Sequence, residues 1–527
     1  MIRASSLAFV VAGALASAAT ASPRALPASD ALGANSAPAE LAPVAQKDAG
    51  LDALAKKLKD PAEKERRSAV QDLAKLGSPA AWELVFDALK DLSPMVADEA
   101  QLQLGTLADV KLAELAFGKK GLESGDDGVR ARVAEALGRM PAAIPLAELV
   151  KRLSDKDAGV RRALAWSLER IARANPTDVK ARGAVPALAA LGRLWAQDKD
   201  AGVRAAALCA TGALETDHSE PIAEPLLADK AAEVRCAALL DALAWPVPVR
   251  FAAGAKLAAD ADHSVRAQAI ETLASCGTKE AAALLVDRLE KETSLRLRWR
   301  IVAELQKLSG SDLELNVPFW RKWVEGLDDA WHPATGEKKA PREVKEQGTT
   351  VFMGLPVLSD RVAILVDCSG SLWEKRADGK TRKETADAEL AAFLKQLPPT
   401  AKFNVIPYTK TPFPWEKSLV PATKENVARA LDAFLKFKET GKGNVWDAIE
   451  LAITDPEVDS LLILTDGAPT GGRHWNLELM EPLLHEKLRF KKIAIDAVLV
   501  DAKKFLQERW RAICEGTGGR MHAVEMK

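Results

Sequence analysis

One phrase returns through the first part of this sequence at a spacing that leaves few ways to fold. It reads Asp127-Gly-Val129-Arg130, Ala158-Gly-Val160-Arg161, Ala201-Gly-Val203-Arg204, Glu233-Val234-Arg235 and Ser264-Val265-Arg266. The valines at 129, 160, 203, 234 and 265 stand 31, 43, 31 and 31 residues apart, the long step absorbing an insertion around Asn175 to Ala187. Fainter copies lie at Arg66-Arg67, Val96 and Leu295-Arg296. A step of about 30 residues holds two short antiparallel helices and a turn, and neither helix can bury its apolar stripe without a neighbour, so such units must stack. The phrases open on Asp or other turn residues able to cap a helix and continue with apolar residues at helical spacing. An all-α solenoid over residues 51–327 is therefore expected. Its arginines Arg130, Arg161, Arg204, Arg235 and Arg266 are expected to bond a turn carboxylate or carbonyl of an adjacent repeat; the alternative is a basic ladder for an acidic partner.

The segments "DDGVRARVAEALG" (126–138) and "DKDAGVRRALAWSLERI" (155–171) resemble the HEAT-like repeats first associated with phycobilisome lyases, and the resemblance covers about half the chain. It implies a scaffold or a peptide-binding surface; pigment lyase activity does not follow from it. Trp320 and Trp323, three apart in "PFWRKWV", share a helix face and are expected to cap the last repeat, with an exposed aromatic patch as the other reading. Residues 328–349 are charged and broken by Pro and Gly, as in a connector between domains.

The start of the chain carries Arg3, an apolar run from Leu7 to Leu15 and the small residues Ala16 to Ser22, the composition of an export signal over 1–21. That run is too short to span a bilayer, and no comparable uncharged stretch follows it. An exported protein, periplasmic or extracellular and without an integral membrane span, is expected, with a disordered linker over 22–50. The 73 Lys and Arg against 74 Asp and Glu leave a net charge of -1, which gives no general pull toward nucleic acid. Cys209, Cys236, Cys276, Cys368 and Cys514 are scattered without close pairs and read as core fillers.

From residue 350 to 527 strand-like and helix-like segments alternate, the mark of an α/β doubly wound, Rossmann-like sheet with helices on both faces. Strands are expected at 361–366, 402–408, 460–464, 492–500 and 520–524, and helices at 383–396, 424–437, 445–453, 477–489 and 503–515. Ligands of such sheets bind beyond the carboxyl ends of the strands. There the first strand runs into Asp367-Cys368-Ser369-Gly370-Ser371, and a later one ends in Thr465-Asp466-Gly467. Asp367, Ser369 and Ser371 alternate, so one carboxylate and two hydroxyls can converge, a donor set suited to a hard cation that takes six oxygens. Cys368, between them, should point into the fold.

This arrangement, with "FNVIPYT" (403–409), "GKGNVWDAIELAI" (441–453) and "LLILTDGAPTGG" (461–472), resembles the von Willebrand factor A domain and its metal-ion-dependent adhesion site. The resemblance implies Mg2+, or Mn2+ or Ca2+, bound directly by Ser369 and Ser371, with Asp367 and Asp466 acting directly or through water and a partner's carboxylate completing the sphere. The family's usual threonine ligand falls on Gly443, and Lys442 beside it should bring positive charge toward the ion, so weak metal binding is expected.

No nucleophile, triad or phosphate loop emerges: Gly379-Lys380-Thr381 lacks its leading glycine, Glu374 standing there, and the histidines are scattered. The leading expectation is a non-enzymatic binding protein, with an extended concave surface on the repeats and metal-mediated capture at the C-terminal domain. The alternatives are a metal-free scaffold of the cell envelope and, least favoured, a lyase-type enzyme.

Overall fold

The computed structural model describes residues 44–141, 143–174, 184–215, 219–333, 350–375, 379 and 381–525. Its first part is helical throughout. The Val-Arg phrases open helices stacked side by side in one row: α1 (Glu63–Leu76), α2 (Pro94–Leu104), α3 (Asp127–Leu137), α4 (Ala158–Ala174), α5 (Ala201–Leu214), α6 (Ala232–Asp241), α7 (His263–Ala274) and α8 (Leu295–Ser309). The three fainter copies in the sequence thus become α1, α2 and α8. A second layer, including Pro79–Ala88, Ala184–Gln197, Val247–Leu257, Lys279–Lys291 and Val317–Glu325, covers the row from one side. Turn aspartates cap the row where the sequence places them: Asp126 accepts from the Val129 amide, Asp157 from Val160 and Asp200 from Val203.

The repeat arginines form a ladder. Each donates to a carboxylate of the next repeat's turn, Arg66 to Asp91, Arg130 to Asp155, Arg161 to Asp198, Arg204 to Asp229, Arg235 to Asp260 and Arg266 to Glu292, at 2.7–3.1 Å. Each also donates to a backbone carbonyl six residues back in its own turn, as Arg235 does to Asp229 O at 2.8 Å. Both donations are internal, which leaves no basic ladder for an acidic partner.

Two expectations on connectors change. The stretch expected to be a disordered linker contains the start of a helix, Val44–Lys57, because Leu51, Leu54 and Leu58 recur at helical spacing and pack on the core of the first repeats. The export signal lies outside the described residues, as does most of the 328–349 connector. Its first residues belong to the last repeat: Trp331 meets Trp323 edge to face, and Trp323 meets the fully buried Trp320 in the same way, which closes the stack.

The C-terminal part is a six-stranded sheet in the order β5-β4-β3-β6-β7-β8, with β3 (Arg361–Asp367), β4 (Lys402–Tyr408), β6 (Ser460–Thr465), β7 (Ala494–Val500) and β8 (Met521–Val524) parallel. Sequence periodicity missed the two-residue pieces, β5 (Val420–Pro421), antiparallel at the edge, and the hairpin β1 (Val351–Phe352) with β2 (Leu355–Pro356). Helices α9 (Arg382–Gln396) and α10 (Lys424–Lys436) pack on one face; α11 (Val445–Ala452), α12 (Leu477–Leu488) and α13 (Lys504–Gly516) cover the other. The five cysteines are all buried and unpaired.

Helix α12 and its flanks lie along the α1–α8 row, so the face expected to be an open binding surface is covered by the protein's own C-terminal domain. Trp166 of α4 belongs to the core beneath α12, and Phe490 to the core of the middle repeats. Arg489 pairs with Glu169 at 2.6 Å, Lys492 with Glu271 at 3.0 Å, and Arg162 donates to the Glu486 carbonyl at 2.7 Å. The covering follows from the residues on that flank of the row: they are aromatic or charged in complement to α12, and neither kind can stay buried without its partner.

Candidate metal site

Strand β3 has neighbours on both sides, β4 and β6; the connection to β4 runs through α9 on one face and the one into β6 through α11 on the other, which makes the carboxyl end of β3 the topological switch point of the sheet. Asp367 is the last residue of β3 and is 2% exposed. Its Oδ1 accepts from the Ser369 amide at 2.9 Å and its Oδ2 from the Thr465 hydroxyl at 2.9 Å. Both donors are neutral. Burial, with the nearby charge of Asp466 adding to it, pushes the Asp367 carboxyl up to about 6.

The other expected donors gather at the same edge. Ser369 is buried beside Asp367, and Asp466 follows β6 and accepts from the Ala468 amide at 3.2 Å. Ser371 falls in the short 3-10 turn Gly370–Trp373, its side chain outside the described residues. Cys368 turns into the core under α9, and burial pushes its thiol up to about 12, so it is inert there. Tyr408, paired in register with Asp367 and fully buried, closes the floor.

Gly443 occupies the position that the family resemblance assigned to a threonine. A Cβ built there would stand 3.4 and 3.5 Å from the two Asp367 oxygens and 3.6 Å from Ser369 Cβ, so the position faces the donors and lacks only a side chain. Thr470 leans across it: its hydroxyl accepts from the Gly443 amide at 2.7 Å, and its amide donates to the Gly443 carbonyl at 3.0 Å. Thr440 has its hydroxyl beside Gly370 rather than beside Gly443. Lys442 departs from expectation, since its ammonium lies 3.8 Å from Glu63 of α1, drawn to the repeats by that carboxylate.

The donor set fits a hard divalent cation. A buried carboxylate, a half-buried one and a buried hydroxyl, all oxygen donors, meet at this edge, the chemistry a hard cation takes. Both Asp367 oxygens already accept hydrogen bonds, which suits contact with an ion through water.

The loop after Asp466 is tied to the repeats by residues that sequence reasoning missed. Asp98 of α2, fully buried, accepts from Arg132 of α3 at 2.7 Å, from the Trp475 and Asn476 amides at 2.8 and 3.2 Å, and lies 2.8 Å from His474 Nδ1. Burial alone would raise the Asp98 carboxyl, but His474 and the Arg132 guanidinium outweigh it and hold it below the usual range. Burial holds the His474 imidazole below its ordinary value, hence neutral. Its ring meets Trp446 of α11 edge to face, and Arg67 of α1 lies over the Trp475 ring. No motif announces Asp98, which is 376 residues from His474.

Residues 360–517 match the model of the von Willebrand factor type A domain, and residues 119–191 that of HEAT repeats. Mouse inter alpha-trypsin inhibitor heavy chain 4 is 32% identical over 130 residues, 22% of this chain and 13% of the relative. The human von Willebrand factor A domain-containing protein 3B is 24% identical over 170 residues, 31% of this chain and 12% of the relative. The chain thus spans only about an eighth of these relatives. Among solved structures, the CpcE–CpcF complex of phycocyanin lyase from Nostoc sp. PCC7120 aligns over 56% of this chain and 98% of its own, with 20% identity and a TM-score of 0.26.

Proposed function

We propose that this chain, which carries a von Willebrand factor type A domain behind HEAT repeats, is a non-enzymatic binding protein that captures an acidic group of a protein partner through a divalent cation. The ion is held by Asp367, Ser369, Ser371 and Asp466. The observation that carries this reading is Asp367: a buried carboxyl with neutral donors on both oxygens and a second carboxylate nearby has its countercharge still to come. Mg2+ suits the all-oxygen set, with Mn2+ and Ca2+ as alternatives, and when bound it supplies the positive centre for a partner's carboxylate. Ser369 and Asp367 orient that centre, and Thr465 fixes the Asp367 rotamer. With the α1–α8 row covered, the repeats act chiefly as the mount. Export to the periplasm or exterior rests on the Leu7–Leu15 run; among the described residues no helix is long and apolar enough to cross a membrane.

The missing side chain at Gly443 favours a second reading, a scaffold whose metal site has lapsed. Thermal unfolding of the full chain against free Mg2+, Mn2+ and Ca2+ separates the two. A site that binds only the folded state raises stability by about 2.7 kcal/mol at a hundredfold excess over Kd. Wild type should rise with free metal while Asp367→Ala stays flat; two flat responses would leave the scaffold.

A further inference from the structure

The covering of the helix row is not continuous. Between α4 and α8 on one side and the end of α12, Lys492 and α13 on the other lies a cleft of about 1,060 Å³. That is the upper end of the range for small-molecule sites. Its lining carries both charges, the cations somewhat outnumbering the carboxylates. Glu271 of α7 stands between two cations, Arg300 of α8 on Oε1 and Lys492 on Oε2, so one carboxylate serves two positive groups. Arg300 Nε is buried without a hydrogen-bond partner. On the opposite wall Arg170 lies over the Trp166 ring and donates to the Gly138 carbonyl, with no ion pair recorded for it among the described residues.

Lys492 is the least expected member. Its backbone adopts φ +52°, a conformation costly for a residue with a side chain, and strain of that kind is kept where the surroundings dictate a position. Burial first, then the charge of Arg300, lower its ammonium to about 7, the response of a cation short of counter-ions.

We propose that this cleft binds a small multivalent oxyanion, a polycarboxylate or a phosphate ester, with Arg300 and Lys492 as its principal contacts and Arg170 across from them. An anion there supplies the charge that Glu271 alone does not, and by touching α4, α8 and the C-terminal domain together it fastens that domain to the repeats.

The test uses the full chain and two probes, citrate and pyrophosphate, titrated calorimetrically at constant ionic strength. Saturable binding of one or both is expected, and which one binds tells carboxylate from phosphate recognition. Lys492→Asn removes the charge with a residue that tolerates positive φ and should weaken binding by about tenfold or more. Glu271→Gln removes the competing carboxylate and should tighten it, a gain that misfolding cannot imitate. Asp367→Ala should bind as wild type does. Heat that only follows salt, or equal affinity in wild type, Lys492→Asn and Glu271→Gln, would overturn the proposal.

Discussion

Asp98 and Asp367 are both buried in this protein, and they are built in opposite ways. Asp98 receives a guanidinium, two backbone amides and an imidazole, and its carboxyl is held below the usual range. Asp367 receives the Ser369 amide and the Ser369 and Thr465 hydroxyls, all neutral, has Asp466 for a neighbour, and is pushed up to about 6. The first is a structural anion whose countercharge is encoded in the chain. The second is a carboxyl held by neutral donors with a second carboxylate nearby, and that is the feature on which the proposed metal site rests.

The sharpest way to break the contrast is Asp98→Ala. It strands Arg132 in a buried setting and uncaps the turn before α12, so a loss of about 3–5 kcal/mol in urea unfolding is expected; a loss under about 1 kcal/mol would show that the two domains do not rely on this contact. Acid should act on the same point. His474 and Asp98 both have folded pKa values below their unfolded ones, so the unfolded chain takes up protons more readily. The stability they confer is present above the unfolded values and is lost as pH falls, from below 6.5 for His474 and from below 3.8 for Asp98.

At Asp367 the sign reverses. Its raised pKa means the ionised form is penalised in the fold, so Asp367→Asn, measured in chelator near pH 7.5, should be neutral or more stable by roughly 1–3 kcal/mol. A loss as large as that of Asp98→Ala would erase the distinction. Gly443→Thr sharpens it: with ordinary contact distances and no positive φ recorded, the added hydroxyl should tighten Mg2+ binding about tenfold, about 1.4 kcal/mol. The smallest effect should come from the ladder, where Arg235→Ala removes a partly solvated pair for about 0.5–1 kcal/mol of stability and leaves metal binding unchanged.

The ladder also shows why some of this was readable beforehand. Arg161 reaches Asp198 within the repeats, while Arg162, the next residue, reaches the Glu486 carbonyl of the C-terminal domain. Arg66 and Arg67 divide in the same way, the first to Asp91, the second to Glu99 and the Trp475 ring. Ladder residues recur with the repeat, so each copy strengthens the signal. Docking residues occur once each, matched to one spot on α12, and periodicity carries nothing of them. Strand and helix limits of the C-terminal domain were legible to within a residue or two because alternation and caps are local, and the placing of Asp367, Ser369 and Asp466 at one sheet edge because they stand at or just beyond strand ends. Thr465 stood in view beside Asp466, but its role is set by a hydrogen bond across two strands.

The most direct test of the metal site is the uptake of Mn2+ by the full chain, followed through the paramagnetic resonance of the free ion near pH 7.5. Wild type should remove Mn2+ from solution at a single saturable site, release it to excess Mg2+, and lose that uptake in Asp367→Ala. Equal uptake by both proteins, or none by either, would contradict the claim that Asp367 was left without a countercharge in order to hold an ion.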